Sequence, residues 1–166
     1  MSDAAELVAR FEEAWSAADF AAQLAAICAP DLHYEDPVTR KPLVGPAALA
    51  EHVARLRTGA PDARLESTGE RLGDGRFVAA PARLLATHTG ELGEFPPTGR
   101  AVVVQTVLYC ELDNARTRLW RVRAFFDLYD AAIQLGVLPK PGTMGARALL
   151  MLRGFGLRPG GGAATS

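Results

Sequence analysis

Three side chains in this sequence are of the kind that moves protons and stand where a fold could hold them still: Asp36, His88 and Asp127. Asp36 precedes Pro37, and a residue before proline is held extended, which fixes the direction of a carboxylate that must act as a base. The same Asp-Pro pair also starts surface turns, so both readings are open. His88 lies in Thr87-His88-Thr89-Gly90, followed by Phe95-Pro96-Pro97-Thr98-Gly99-Arg100. Imidazole exchanges protons near neutral pH, and a proline-stiffened loop beside it could rim a pocket. The alternative is an exposed polar residue at a hairpin end. Asp127 closes a strand-like run, and Gln134-Leu135-Gly136 follows seven residues on. Strict alternation puts Arg121, Arg123, Phe125 and Asp127 on one face and Trp120, Val122, Ala124 and Phe126 on the other. The second face reads as core. The first is either the wet side of a sheet, with Asp127 paired to Arg123, or the wall of a cavity if the sheet curves over one.

Holding such groups takes a scaffold, and the pattern predicts helices first. Leu7, Val8, Phe11 and Trp15 recur at helical spacing over 3–18. Asp19 can cap a second helix carrying Phe20, Leu24 and Ile27, ended by Pro30. His33 to Asp36 reads as extended. Gly45-Pro46 opens a third helix to about Arg57, with Leu49, Val53 and Leu56 on one side. Strands follow. Runs 63–72 and 76–89 flank Gly73-Asp74-Gly75 as a hairpin. A loop spans 90–99, 101–112 is apolar on both faces like a central strand, and Asp113-Asn114 turns into a last strand, 118–127. The segment 128–136 fits either a strand continuation or a helical turn. Helices followed by an antiparallel meander mean an α+β domain. A further short helix is expected at about 143–155, and 158–166 is too small and glycine-rich to bury much. The expected organisation is a domain over 1–142, a helical extension over 143–157 and a disordered tail over 158–166.

At 166 residues and 49% hydrophobic, the chain suffices for one domain with a sizeable core. Net charge of −1 and scattered arginines give no footprint for nucleic acid or an anionic membrane. No apolar run is long enough to span a bilayer, and Asp3 and Glu6 stand where a signal peptide would carry basic residues. A cytoplasmic protein is expected. Cys28 and Cys110 have no metal-ligand spacing and read as buried free thiols. Phosphate loops, a Gly-x-Ser-x-Gly elbow and zinc spacings are absent.

Taken in order, Asp36-Pro37 after two helices, Gly45-Pro46, Ala60-Pro61-Asp62, His88-Thr89-Gly90 with Pro96-Pro97-Thr98-Gly99-Arg100, and Asp127 with Gln134-Leu135-Gly136 resemble the SnoaL-like polyketide cyclases. That family lies within the superfamily that includes nuclear transport factor 2 and the ketosteroid isomerases. The resemblance covers roughly residues 5–138. It implies a cone-shaped fold: a strongly curved, mostly antiparallel sheet around about three N-terminal helices, an apolar pocket in the mouth and a homodimer through the sheet. It implies binding of a small hydrophobic carbonyl compound, with no metal or organic cofactor. It implies cyclase or isomerase chemistry with Asp127 as acid/base and His88 and Asp36 assisting. Ligand contacts are expected from Arg123, Phe125, Tyr34, Trp15 and Phe11. A non-catalytic pocket or dimerising accessory domain is the competing expectation, since fold does not fix function. Phe11 stands where the isomerases carry an oxyanion-hole tyrosine, and a rearranged epoxide-hydrolase set would need Arg123, Asp127 and Asp36 together.

Overall fold

The structure is a computed structural model and describes residues 3–152. Helices α1 (Asp3–Ser16), α2 (Phe20–Ile27) and α3 (Pro46–Gly59) lie against a seven-stranded sheet that is curved and unclosed. The strands are β1 (Cys28–Glu35), β2 (Leu43–Val44), β3 (Arg64–Ser67), β4 (Leu72–Asp74), β5 (Phe77–Thr87), β6 (Ala101–Leu112) and β7 (Leu119–Phe126). Their order is β2-β1-β7-β6-β5-β3, with β4 also on β5. Every pairing is antiparallel except β1 with β7, which run parallel. Two more helices follow, α4 (Leu128–Leu135) and α5 (Met144–Leu152). The tail expected beyond residue 157 lies outside the described residues.

The helical stripe of α1 is the centre of the core: Leu7, Val8, Phe11 and Trp15 are all buried. They meet Leu24 and Ile27 of α2, Leu49 and Val53 of α3, and the inward residues of the sheet. Alternation holds along β6, where Val102, Val104, Thr106, Leu108 and Cys110 are buried and their neighbours face outward. The expected central strand is found, with β6 paired on both edges. Val103, Val107 and Tyr109 stand on its open face.

Two element boundaries differ from expectation. Pro30 does not end α2. The helix stops at Ile27, and β1 begins at Cys28 and runs through the proline. The run 63–72 splits into β3 and β4, both paired to β5, and Gly75 takes φ 60° in the turn that joins β4 to β5. The ambiguous 128–136 segment is a helix, and its three signature residues explain why. Asp127 is its N-cap, accepting from the backbone N–H groups of Tyr129 (2.9 Å) and Asp130 (3.0 Å). Gln134 clasps β6 by accepting from the Val103 N–H (2.8 Å) and donating to the Val103 carbonyl (2.9 Å). Gly136 caps the C-terminus at φ 81°, and a Cβ there would meet the Arg100 guanidinium at 2.8 Å.

Candidate functional site

Inside the cone lies a cavity of about 170 Å³, walled almost entirely by apolar groups. Its sheet wall is made by alternate residues: Leu84, Ala86 and His88 along β5 and its continuation, Val102 to Leu108 on β6, and Ala124 and Phe126 on β7. Six residues of strand rise about 20 Å, so the cavity is a slot along these strands. α4 covers it with Leu128, Ala131 and Leu135. The helix that Asp127, Gln134 and Gly136 hold in place is therefore a wall of the cavity.

Of the residues expected to make a site, Asp36, His88, Tyr34, Trp15 and Phe11 line the cavity together. Asp127, Arg123 and Phe125 do not. The cause is strand parity. Ala124 and Phe126 point inward, so Phe125 (57% exposed) and Arg123 point outward, and Arg123 pairs with Glu35 at 3.3 Å rather than with Asp127. Asp127 follows the last strand residue, is exposed, and spends its Oδ1 on the backbone of α4. The Arg123, Asp127 and Asp36 set needed for a rearranged epoxide hydrolase is not assembled, since only Asp36 reaches the cavity.

Polar atoms on the lining are few. His88 is 1% exposed; its Nδ1 is 3.1 Å from Thr98 Oγ1, and its Nε2 is buried without a partner. Thr106 Oγ1 is likewise buried and unpaired. Buried polar atoms are seldom left unsatisfied, so each unpaired one in a cavity calls for a ligand or ordered water. The loop carrying His88 is fixed by close backbone approach. The N–H groups of Thr89 and Gly90 donate to the Gly59 carbonyl at 3.1 and 2.9 Å, and a Cβ on Gly90 would collide with the Thr58 carbonyl oxygen. His88 itself exchanges backbone bonds with Arg100 and Gly99, which ties it to the start of β6.

Asp36 is held differently. Its Oδ2 accepts from the Tyr34 hydroxyl (3.0 Å) and lies 2.7 Å from His52 Nε2, while Oδ1 accepts from the Val38 and Thr39 N–H groups, both at 2.9 Å. The carboxylate is 3% and the imidazole 7% exposed. Burial pushes the Asp36 carboxyl up, but the bond and charge of His52, the Val38 N–H and Tyr34 outweigh it and hold it below the usual aspartate value. Tyr34 is pushed well above the ordinary phenol range by burial and then by the Asp36 charge, so it stays a donor. His52, which holds Asp36, is absent from the sequence reading. It completes the 49, 52, 53, 56 stripe on the buried side of α3, and that spacing was the available signal.

Among the described residues no cluster of three or more His, Cys, Asp or Glu could hold a metal ion, and no helix is long and apolar enough to cross a membrane.

None of the curated proteins matches the chain. A protein assigned to the SnoaL-like polyketide cyclases from Jannaschia sp. CCS1 is 22% identical, with 82% of this chain and 94% of that chain covered and a TM-score of 0.72. A protein assigned as a polyketide cyclase from Acidithiobacillus ferrooxidans is 25% identical over 82% of this chain and 96% of that one, with a TM-score of 0.68. A hypothetical protein of ketosteroid isomerase-like fold from Catenulispora acidiphila, in complex with trimethylamine, is 16% identical over 79% and 92%, with a TM-score of 0.65. The likenesses below 25% identity show the shared fold. The SnoaL-like polyketide cyclase model matches residues 5–135, which takes in α1 through α4, every strand and the whole cavity wall. The chain belongs to the SnoaL-like polyketide cyclase family.

Proposed function

We propose that the slot binds a small, flat, mostly apolar carbonyl compound and that His88 takes and returns a proton beside the carbonyl, in a cyclisation or isomerisation that needs no cofactor. The observation that carries this reading is His88 itself: the residue lines the apolar cavity, and its Nε2 is buried without a partner. A neutral imidazole has one donor and one acceptor nitrogen. In the tautomer whose Nδ1–H donates to Thr98 Oγ1, Nε2 is a bare acceptor held where water is scarce, and a base in such a place removes an acidic C–H proton without first shedding solvent. A cavity of this size exceeds the roughly 150 Å³ that encloses a benzene ring, which favours one- or two-ring ligands. Thr106 offers a hydroxyl further along the slot. Its strand partner Ala82 is six residues before His88, so the two meet different parts of one ligand. The saturated Asp36 acts as an anchor for Tyr34 and His52 rather than as the proton acceptor. Apolar residues on the outer sheet face, among them Val107, Tyr109 and Phe125, support a homodimer through that face.

A second reading, a binding pocket without turnover, is favoured by one observation: the best-placed carboxylate, Asp36, already accepts from four partners. Proton exchange separates the two. With 2-tetralone in D2O, NMR should show loss of the α-proton signals faster with protein than in buffer, and His88→Gln should slow it by about a hundredfold. Equal rates for the two proteins remove His88 from the chemistry, and a wild-type rate no faster than buffer leaves the binding reading alone.

A further inference from the structure

The inner cavity does not end at α4. Val38, Leu56, Leu92, Leu128, Ala131 and Leu135 line both the cavity and an open groove outside it. The groove runs between the loop after β1, the outer side of α3, the loop from Glu91 to Phe95 and α4. Three large apolar side chains on it stand nearly half exposed, Val38 (46%), Phe95 (48%) and Leu128 (45%). Apolar groups left open in one concave place, continuous with a ligand cavity, mark a surface that a ligand covers.

The charge around this groove is one-sided. Arg40, Lys41 and Arg55 lie on its lining, against a single carboxylate, Glu91. Among the described residues none of the three cations is in an ion pair; Arg10, Arg57, Arg100, Arg116, Arg118, Lys140 and Arg147 are in none either, so what sets these three apart is their place together beside the apolar groove. Cations kept free of protein carboxylates beside an apolar trough are matched by an anion on a greasy stem. We propose that the groove is the outer half of the binding site and takes the carboxylate end of an elongated ligand whose apolar body lies in the slot. This rests on the slot being the ligand site, as proposed above, and adds the class of ligand: an extended apolar carboxylic acid rather than a compact neutral ketone.

A carboxylate about 4 Å from one exposed cation gains roughly fivefold in affinity, and salt screens that gain. Three cations opposed by one carboxylate should together favour the anion about tenfold or more. The probes are 6-(2-naphthyl)hexanoate and its primary amide, followed by naphthalene fluorescence at about 0.02 M salt. The wild type should bind the acid about tenfold tighter than the amide. The preference should vanish at about 0.5 M salt and in the Arg40→Gln/Lys41→Gln/Arg55→Gln triple variant, with amide affinity unchanged. Equal binding of acid and amide by the wild type, or a preference that survives the triple substitution, overturns the groove assignment while leaving the slot intact. Failure of both probes to bind overturns the slot and the groove together.

Discussion

Asp127 is the residue on which the family signature and the geometry part most sharply, so its substitution is the most informative perturbation. Its Oδ1 accepts from two orphan N–H groups at the start of α4, and its charge sits at the positive end of that helix. Losing a side-chain N-cap costs about 1 kcal/mol, and losing a favourable charge there about 0.5 kcal/mol. Asp127→Ala should therefore destabilise the protein by about 1.5 kcal/mol, and a chain of this size should lose about 3–6 °C in Tm. Asp127→Asn keeps an acceptor oxygen and should lose only the charge contribution, about 0.5 kcal/mol. An eight-residue helix has little stability of its own, so the loss should concentrate there. Circular dichroism melts give the Tm, and amide hydrogen exchange over 128–135 gives the local effect. Proton exchange on 2-tetralone, run on the same samples, should survive Asp127→Asn within a few-fold. If Asp127→Asn abolishes exchange while Tm and α4 protection stay unchanged, Asp127 acts in the chemistry and not as the cap of α4.

Other consequences follow from single contacts. Gly136→Ala forces a Cβ to within 2.8 Å of the Arg100 guanidinium at φ 81°, and should cost about 1–2 kcal/mol in urea unfolding, more than the same change at Gly75, where nothing lies within 4 Å. Asp36 has a folded pKa below its unfolded one, so its stabilisation is present above the ordinary aspartate value of 3.8 and is lost as pH falls through that value toward the folded one. Urea midpoints should fall from about pH 5 to about pH 3, and Asp36→Asn should flatten part of that slope. His52→Ala leaves the buried Asp36 carboxylate one partner short and should cost about 2 kcal/mol at neutral pH, read from the same unfolding curves. Burial pushes the Cys28 thiol up to about 12 and Cys110 higher still, so neither should react with a disulfide reagent at about pH 8 before the protein unfolds.

Much of the scaffold was legible because periodicity reports burial directly. The α1 stripe and the inward face of Val122, Ala124 and Phe126 follow from which residues repeat every 3.6 or every 2 positions, though Trp120, expected on that face, instead donates its Nε1–H to Asp31 at an exposed site. Gly45-Pro46 and the glycines around Gly75 mark the start of the third helix and the turn of the hairpin. What periodicity does not report is pairing between distant strands. The parallel contact of β1 with β7 sets Tyr34 beside Val122, and no local pattern in 28–35 announces it.

The site was half legible for a related reason. Asp36 and His88 reach the cavity because each ends a strand whose alternate residues face inward. Asp127 ends a strand too, but out of phase with Ala124 and Phe126, and its carboxylate turns to the helix that begins one residue later. The same alternation that put it with Arg121 and Arg123 already separated it from the core face. The His88-Thr89-Gly90, Thr98-Gly99-Arg100 and Gln134-Leu135-Gly136 pieces act chiefly through backbone closeness: Gly90 on the end of α3, Arg100 against Gly136, Gln134 on Val103. A signature that looks catalytic can be the means of setting a cavity wall.

The proposed chemistry requires His88 Nε2 to meet the ligand inside the slot. Imidazole nitrogen NMR of 15N-histidine-labelled protein, titrated with 2-tetralone, addresses that atom directly. His33, His52 and His88 are the histidines of the chain, so three ring systems need assignment. The Nε2 resonance of His88 should move with saturation while His33, on the outer side against Trp120, stays fixed. A saturating ligand that leaves His88 unmoved would contradict it.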